Sequence, residues 1–138
     1  MCGPSLNNST VGIVGLGRIG QKVQQMLTPF GVNQFLYHGR KKLPVEAENG
    51  AEFCSFDELL ARSDFVIVTC ALTEETKNLF DKEAFAKMKP SAVFVNTSRG
   101  GVVNQEDLVE ALQTKTIGMA GLDVMTPEPL PKDHPLTR

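Results

Sequence analysis

Six residues limit the fold of this chain more than any others: Gly15-Leu16-Gly17-Arg18-Ile19-Gly20. Their spacing, G-x-G-x-x-G, arises easily by chance in a chain with 12 glycines, so its position has to give it weight. It directly follows Thr10–Val14 (TVGIV), which reads as a buried strand. It opens Arg18–Leu27, where Ile19, Val23, Met26 and Leu27 recur at helical spacing and Pro29 and Gly31 end the pattern. A strand that passes through glycines straight into a helix presents bare N–H groups at the helix N-terminus, where a phosphate is stabilised. In that setting Gly15 permits the tight turn and Gly17 lets a pyrophosphate approach the backbone. Gly20 lets the helix lie close on the strand. Leu16, Arg18 and Ile19 belong to the same cofactor-binding turn.

The remainder of the chain continues the alternation. Gln34–His38, Glu52–Cys54, Asp64–Cys70, Ser91–Asn96 and Ile117–Val124 read as strands. Helices are expected after Ser55, over Lys82–Met88 and over Asn104–Leu112, with Ser55 and Glu58 forming a capping box and Asn104 a cap. Gly39–Gly50 reads as a loop with a helical turn in it, and Met125–Arg138, with four of the eight prolines, as irregular. Asp64–Cys70 (DFVIVTC) is nearly continuous in apolar residues, which suits a parallel strand covered on both faces. The pattern predicts one α/β domain over residues 1–138, a Rossmann-type doubly wound parallel sheet in three layers.

Composition excludes several classes. The formal net charge of −2 offers no general field for nucleic acid or an anionic membrane, so any cationic site must be local. No apolar run approaches the roughly 20 residues of a membrane helix, and the first ten residues do not read as a secretory signal. Cys2, Cys54 and Cys70 are odd in number and irregular in spacing. That argues against a disulfide framework or a metal site and for a reducing, cytoplasmic setting, with Cys54 and Cys70 as buried, inert thiols.

The end of the second strand selects between dinucleotides. A site for NADH places Asp or Glu there to hold the ribose 2′-hydroxyl. Here the residues are Tyr37-His38-Gly39-Arg40-Lys41-Lys42, with no acid before Glu46. Arg40 offers a fork to a 2′-phosphate, Lys41 and Lys42 add charge, and Gly39 leaves room. The expected cofactor is NADPH, with NADH bound more weakly.

Three further stretches, Asn96-Thr97-Ser98-Arg99-Gly100, Gly121-Leu122-Asp123-Val124 and Pro127-Glu128-Pro129, stand in order behind the glycine loop. With it they resemble the D-isomer-specific 2-hydroxyacid dehydrogenases across nearly the whole chain. The resemblance is strongest to the branch that reduces glyoxylate and hydroxypyruvate. It implies an oxidoreductase that moves a hydride between the dinucleotide and a small 2-keto acid or 2-hydroxy acid, working as a homodimer. By the same resemblance Arg99 binds the substrate carboxylate and keto oxygen, which suits a planar fork carrying fixed positive charge. Glu128 pairs with a histidine that donates the proton, and Asp123 accepts from the nicotinamide carboxamide. Thr97, Ser98, Leu72 and Thr76 border the cofactor. Ala71 stands where the family has serine and would offer backbone alone.

The resemblance does not cover everything a dehydrogenase needs. Neither His38 nor His134 matches the family's proton donor, and the substrate domain is expected to lie in segments flanking these 138 residues. The 138 residues alone are expected to bind cofactor weakly and to turn over little. A second reading is a non-catalytic NAD(P)-binding or partner-binding module of the same family. A third, another Rossmann enzyme, is opposed by the Arg99 and Glu128 motifs.

Overall fold

The computed structural model describes residues 6–71, 73–97 and 100–122. Its elements run β1 (Thr10–Val14), α1 (Arg18–Leu27), a 3-10 turn (Thr28–Phe30), β2 (Gln34–His38), α2 (Val45–Glu48), β3 (Glu52–Phe53) and α3 (Phe56–Arg62). They continue through β4 (Phe65–Val68), α4 (Lys82–Lys87), β5 (Val93–Asn96), a second 3-10 turn (Gly100–Val102), α5 (Gln105–Gln113) and β6 (Met119–Leu122). The six strands form one sheet in the order β3-β2-β1-β4-β5-β6, every pairing parallel. The chain winds outward from β1 in one direction, then returns to β4 and winds in the other. The strand order therefore reverses between β1 and β4, and sheets of this kind hold ligands beyond the carboxyl ends of the strands at such a reversal.

Period-2 alternation sorts the strand residues onto two buried faces. Val14, Leu36, Val66, Val68 and Phe94 point into one cluster, with Leu59, Leu60, Ala84, Phe85, Leu108 and Ala111 from α3, α4 and α5. Val11, Ile13, Tyr37 and Ile67 point into the other, against Val23 and Leu27 of α1. Phe80, Phe85 and Phe94 anchor the first cluster, with ring centroids of Phe80 and Phe94 4.9 Å apart and Phe85 edge-on to Phe94 at 5.3 Å.

Several element ends differ from the pattern-based expectation. Ala92 and Ile117 were expected in strands, but the Ala92 N–H bonds Lys89 O in a turn and the Ile117 N–H bonds Ala111 O at the end of α5. β4 is shorter than the Asp64–Cys70 run, because beyond Val68 the chain bends to form the floor beneath Gly15. α4 ends at Lys87 and α5 extends to Gln113, each one residue from expectation. In α1 the core-facing positions are Gly20 and Gln24, with Val23 and Leu27 half-buried, whereas Ile19 and Met26 are exposed. Gln24 holds a core position because its amide donates to Glu48 O and Asn49 O, both at 3.0 Å.

Gly12, in the middle of β1, has a packing reason absent from the glycine motif. A Cβ there would lie 2.2 Å from Ser63 Oγ and 2.6 Å from Leu59 Cδ2. Gly12→Ala should therefore push α3 off the sheet and destabilise the domain by about 1–3 kcal/mol, as overpacked cores do. Urea denaturation measures this, and a midpoint equal to wild type would show that α3 is not held against β1 as described.

Candidate functional site

The glycine turn is built by contacts that join the ends of neighbouring strands. Gly15 has φ +95°, and a Cβ on it would meet the Cys70 Cα at 2.6 Å, so both its conformation and its neighbour require glycine. Its N–H bonds His38 O at 2.8 Å, and its carbonyl accepts from the Thr69 hydroxyl. Gly20 is equally confined, since a Cβ there would lie 2.6 Å from Gly15 O and 3.3 Å from Ile13 Cγ2. Gly17, at the head of α1, has open space where a Cβ would stand.

The helices treat their first turns differently. Ser55, Asp81 and Asn104 cap α3, α4 and α5 with side-chain oxygens, as the sequence predicts for Ser55 and Asn104. Each of these helices also has an acid in its first turn. α1 has neither a side-chain cap nor an acid. Its leading N–H groups and the positive end of its dipole thus face the open side of the turn, an arrangement that suits an anion.

An open cleft of about 860 Å³ lies over this turn. Of the residues expected at a cofactor, Gly15, Leu16, Gly17, Arg18, Ile19, Gly39, Arg40, Lys41, Ala71 and Thr76 line it together. Gly20 sits beneath, packed on the strand. Lys42 is turned away, with its ammonium 3.0 Å from Glu48 Oε2. Thr97 lies at the end of β5 with its hydroxyl donating to Val68 O at 2.9 Å, outside the cleft lining. Leu72, Ser98, Arg99, Asp123 and Glu128 lie outside the described residues, as does His134.

The cleft also contains residues that sequence reasoning did not assign to it, among them Thr69, Cys70, Thr73, Glu75 and Leu79. Cys70 is half-buried on the cleft wall, not enclosed like Cys54, because the chain leaves the sheet before reaching it. Burial pushes both thiols up, away from the reactive thiolate. Thr76 organises the loop after β4. Its hydroxyl donates to Ala71 O at 2.7 Å and accepts from the Thr73 N–H at 2.7 Å. His38, which also lines the cleft, is stacked on Phe53 and hydrogen-bonded through Nδ1 to Cys54 O at 3.0 Å.

The 39–43 loop is anchored from below by a buried polar group. The Tyr37 hydroxyl donates to the Glu48 carboxylate and accepts from the Leu43 N–H at 2.9 Å, and Lys42 reaches the same carboxylate. The Tyr37 hydrogen bond, followed by that from Lys42, holds the Glu48 carboxyl below the usual carboxylate range. Burial first, then the bond to Glu48, pushes the Tyr37 phenol up. Nothing in hydrophobic periodicity marks these pairs. The one signal was a tyrosine on an inward strand position, since a buried phenol needs a partner.

The parallel order, the glycine turn at the strand reversal and the open end of α1 define a dinucleotide-binding domain of Rossmann type. The chain belongs to the D-isomer specific 2-hydroxyacid dehydrogenase family, matching its NAD binding domain over residues 1–138. It is 58% identical over 137 residues to a glyoxylate reductase/hydroxypyruvate reductase of Mus musculus, a match spanning 99% of this chain and 42% of that protein. The crystal structure of a glyoxylate reductase from Paecilomyes thermophila superimposes with a TM-score of 0.94 at 40% identity, covering 100% of this chain and 42% of that one. D-lactate dehydrogenase with NAD+ from Lactobacillus jensenii gives 0.84 at 32% identity, covering 90% of this chain and 37% of that one. The chain thus spans less than half the length of these relatives.

Tyr37→Phe should release the 39–43 loop and cost about 1–2 kcal/mol, the worth of a buried hydrogen bond. Glu48 contributes stability above the ordinary carboxylate range and loses it as pH falls through its lowered folded value. Removing the phenol raises that value toward the ordinary one, so the loss on acidification should be smaller in the variant and should level off at higher pH. Thermal melts between about pH 3 and pH 7 measure both effects. Parallel acid limbs in the two proteins would count against the anchor.

Proposed function

We propose that this chain is the NADPH-binding domain of an enzyme that reduces a small 2-keto acid, glyoxylate or hydroxypyruvate, to the D-2-hydroxy acid. Family membership and the similarity to glyoxylate/hydroxypyruvate reductases support the reaction class. The cofactor preference rests chiefly on one observation: Arg40 and Lys41 line the cleft beside Gly39, where a Cβ would meet nothing, and no acid follows β2 there. A guanidinium at that place forks to a 2′-phosphate, which a carboxylate would repel.

The site fits a dinucleotide on its own geometry. The open backbone over Gly17 and the uncapped start of α1 suit the pyrophosphate, with Leu16, Arg18 and Ile19 along it. Gly15 and Gly20 hold the turn, and Ala71 and Thr76 line the opposite wall; Leu72 borders the cofactor by the family resemblance alone. The bound dinucleotide supplies the hydride. In the proposed reaction Arg99 holds the substrate carboxylate and stabilises negative charge developing on the keto oxygen. Glu128 keeps a histidine proton donor charged, since a nearby carboxylate favours imidazolium. Asp123 orients the carboxamide, and Thr97 and Ser98 line the cofactor through backbone or hydroxyl groups. These roles follow the family resemblance.

We extend the proposal to a homodimer in the cytoplasm, on the same resemblance. Among the described residues no helix is long and apolar enough to cross a membrane, and no cluster of side chains could hold a metal ion. The relatives carry more than half of their length outside the match, so binding without appreciable turnover is expected of these 138 residues by themselves.

Calorimetric titration with NADPH and NADH tests the assignment. NADPH should bind more tightly, and Arg40→Ala should weaken NADPH by about tenfold while leaving NADH nearly unchanged. Binding of NADH in preference would overturn the cofactor assignment. Binding of neither would overturn the reading of the cleft.

A further inference from the structure

The loop after β4 brings a negative charge to the place from which β2 has lost one. Three cationic side chains line the cleft, Arg18, Arg40 and Lys41, and among the described residues Glu75 is the one carboxylate that does. Glu75 Oε2 lies 3.8 Å from Arg40 Nε, with both side chains 74% exposed. The two residues are 35 positions apart and belong to different loops, and each loop is anchored independently. The Thr76 hydroxyl ties the Glu75 loop to Ala71 O and to the Thr73 N–H. Tyr37 and Glu48 tie the Arg40 loop from beneath. The juxtaposition therefore follows from how two fixed loops face each other across the cleft, as well as from the side chains' own reach.

We infer that Glu75 is a specificity-determining residue that restrains the preference for NADPH over NADH, an inference that rests on reading the cleft as the dinucleotide site. The physical basis is competition. Before Arg40 serves a 2′-phosphate it must give up the Glu75 carboxylate, and the phosphate must also tolerate that carboxylate close by. A ribose 2′-hydroxyl meets no such penalty, because it is neutral and able to donate a hydrogen bond to a carboxylate. Glu75 thus narrows the advantage that Arg40 confers, from the wall opposite the position where NADH sites place their acid.

An exposed ion pair contributes little to folding. A role in selectivity therefore predicts a change in binding without a change in stability. The test is calorimetric titration of the wild-type chain, Glu75→Gln and Glu74→Gln with NADPH and NADH, at about 50 mM and about 500 mM salt. Glu74 is exposed in the same loop but does not line the cleft, so its variant controls for net charge. Glu75→Gln should raise the NADPH-to-NADH affinity ratio about three- to tenfold through tighter NADPH binding, with the gain shrinking at high salt and the melting temperature unchanged. Glu74→Gln should leave the ratio within about twofold of wild type. An unchanged ratio in Glu75→Gln, or an equal rise in Glu74→Gln, would overturn the role of Glu75 and leave the dinucleotide site standing. Failure of the wild-type chain to bind either dinucleotide would overturn both.

Discussion

The cleft takes its geometry from β1. This strand is hydrogen-bonded on both edges, to β2 and β4, and its side chains are buried on both faces. Gly12 lets α3 come close on one side, and Gly20 lets α1 come close on the other. A strand held on four sides has no slack, so the turn at its carboxyl end starts from a fixed point. From there a row of contacts runs along the tops of the strands: His38 O to Gly15 N, Gly15 O to the Thr69 hydroxyl, and Val68 O to Thr97. The geometry of the turn at Gly15–Gly20 is thus a by-product of parallel pairing. The same hydrophobic alternation that builds the core sets the position of the N–H groups above it.

Within this frame the helices divide by how their first turns are satisfied. α3, α4 and α5 close theirs with Ser55, Asp81 and Asn104, and their acids match the helix dipole. α1 begins with Gly17 and a basic residue, Arg18. A cap contributes about 1 kcal/mol to a helix; the short α2 also lacks a side-chain cap but has acids in its first turn, so among the described α-helices α1 alone forgoes both, at one place. That place is where the strand order reverses. Local stability is forgone where an external anion is able to supply the missing acceptor.

Much of this was legible in the sequence because it depends on local rules. β1, α1 and β2 follow the expected bounds, since apolar runs and glycines mark them directly. The caps at Ser55 and Asn104 were equally visible. Strand ends were harder: Asp64–Cys70 stays apolar after the chain has left the sheet, so hydrophobicity alone overruns the ladder at Val68. In α1 the apolar residues Ile19 and Met26 are exposed while Gln24 is buried, because a glutamine with two carbonyl partners displaces the simple pattern. That the turn, Gly39, Arg40 and Lys41 meet in one cleft follows from the motif and its position at the end of β1 beside β2. Lys42 was read as a third free cation, and its pairing with Glu48 was invisible because α2 returns it from below. The Glu75–Arg40 approach was hidden for the same kind of reason, as it depends on two loops meeting in space.

The two ends of the cleft are built with different degrees of freedom. The glycine turn is locked at Gly15 and Gly20, where an added Cβ would clash with the Cys70 Cα and the Gly15 carbonyl. The 39–43 and 71–76 loops present exposed side chains on independently fastened backbones. Substitutions at Arg40, Lys41 or Glu75 leave the sheet and the turn untouched, whereas a change at Gly15 or Gly20 alters both at once. Evolution, or an engineer, is therefore free to vary the charges along this rim of the cleft residue by residue while the backbone turn is inherited intact.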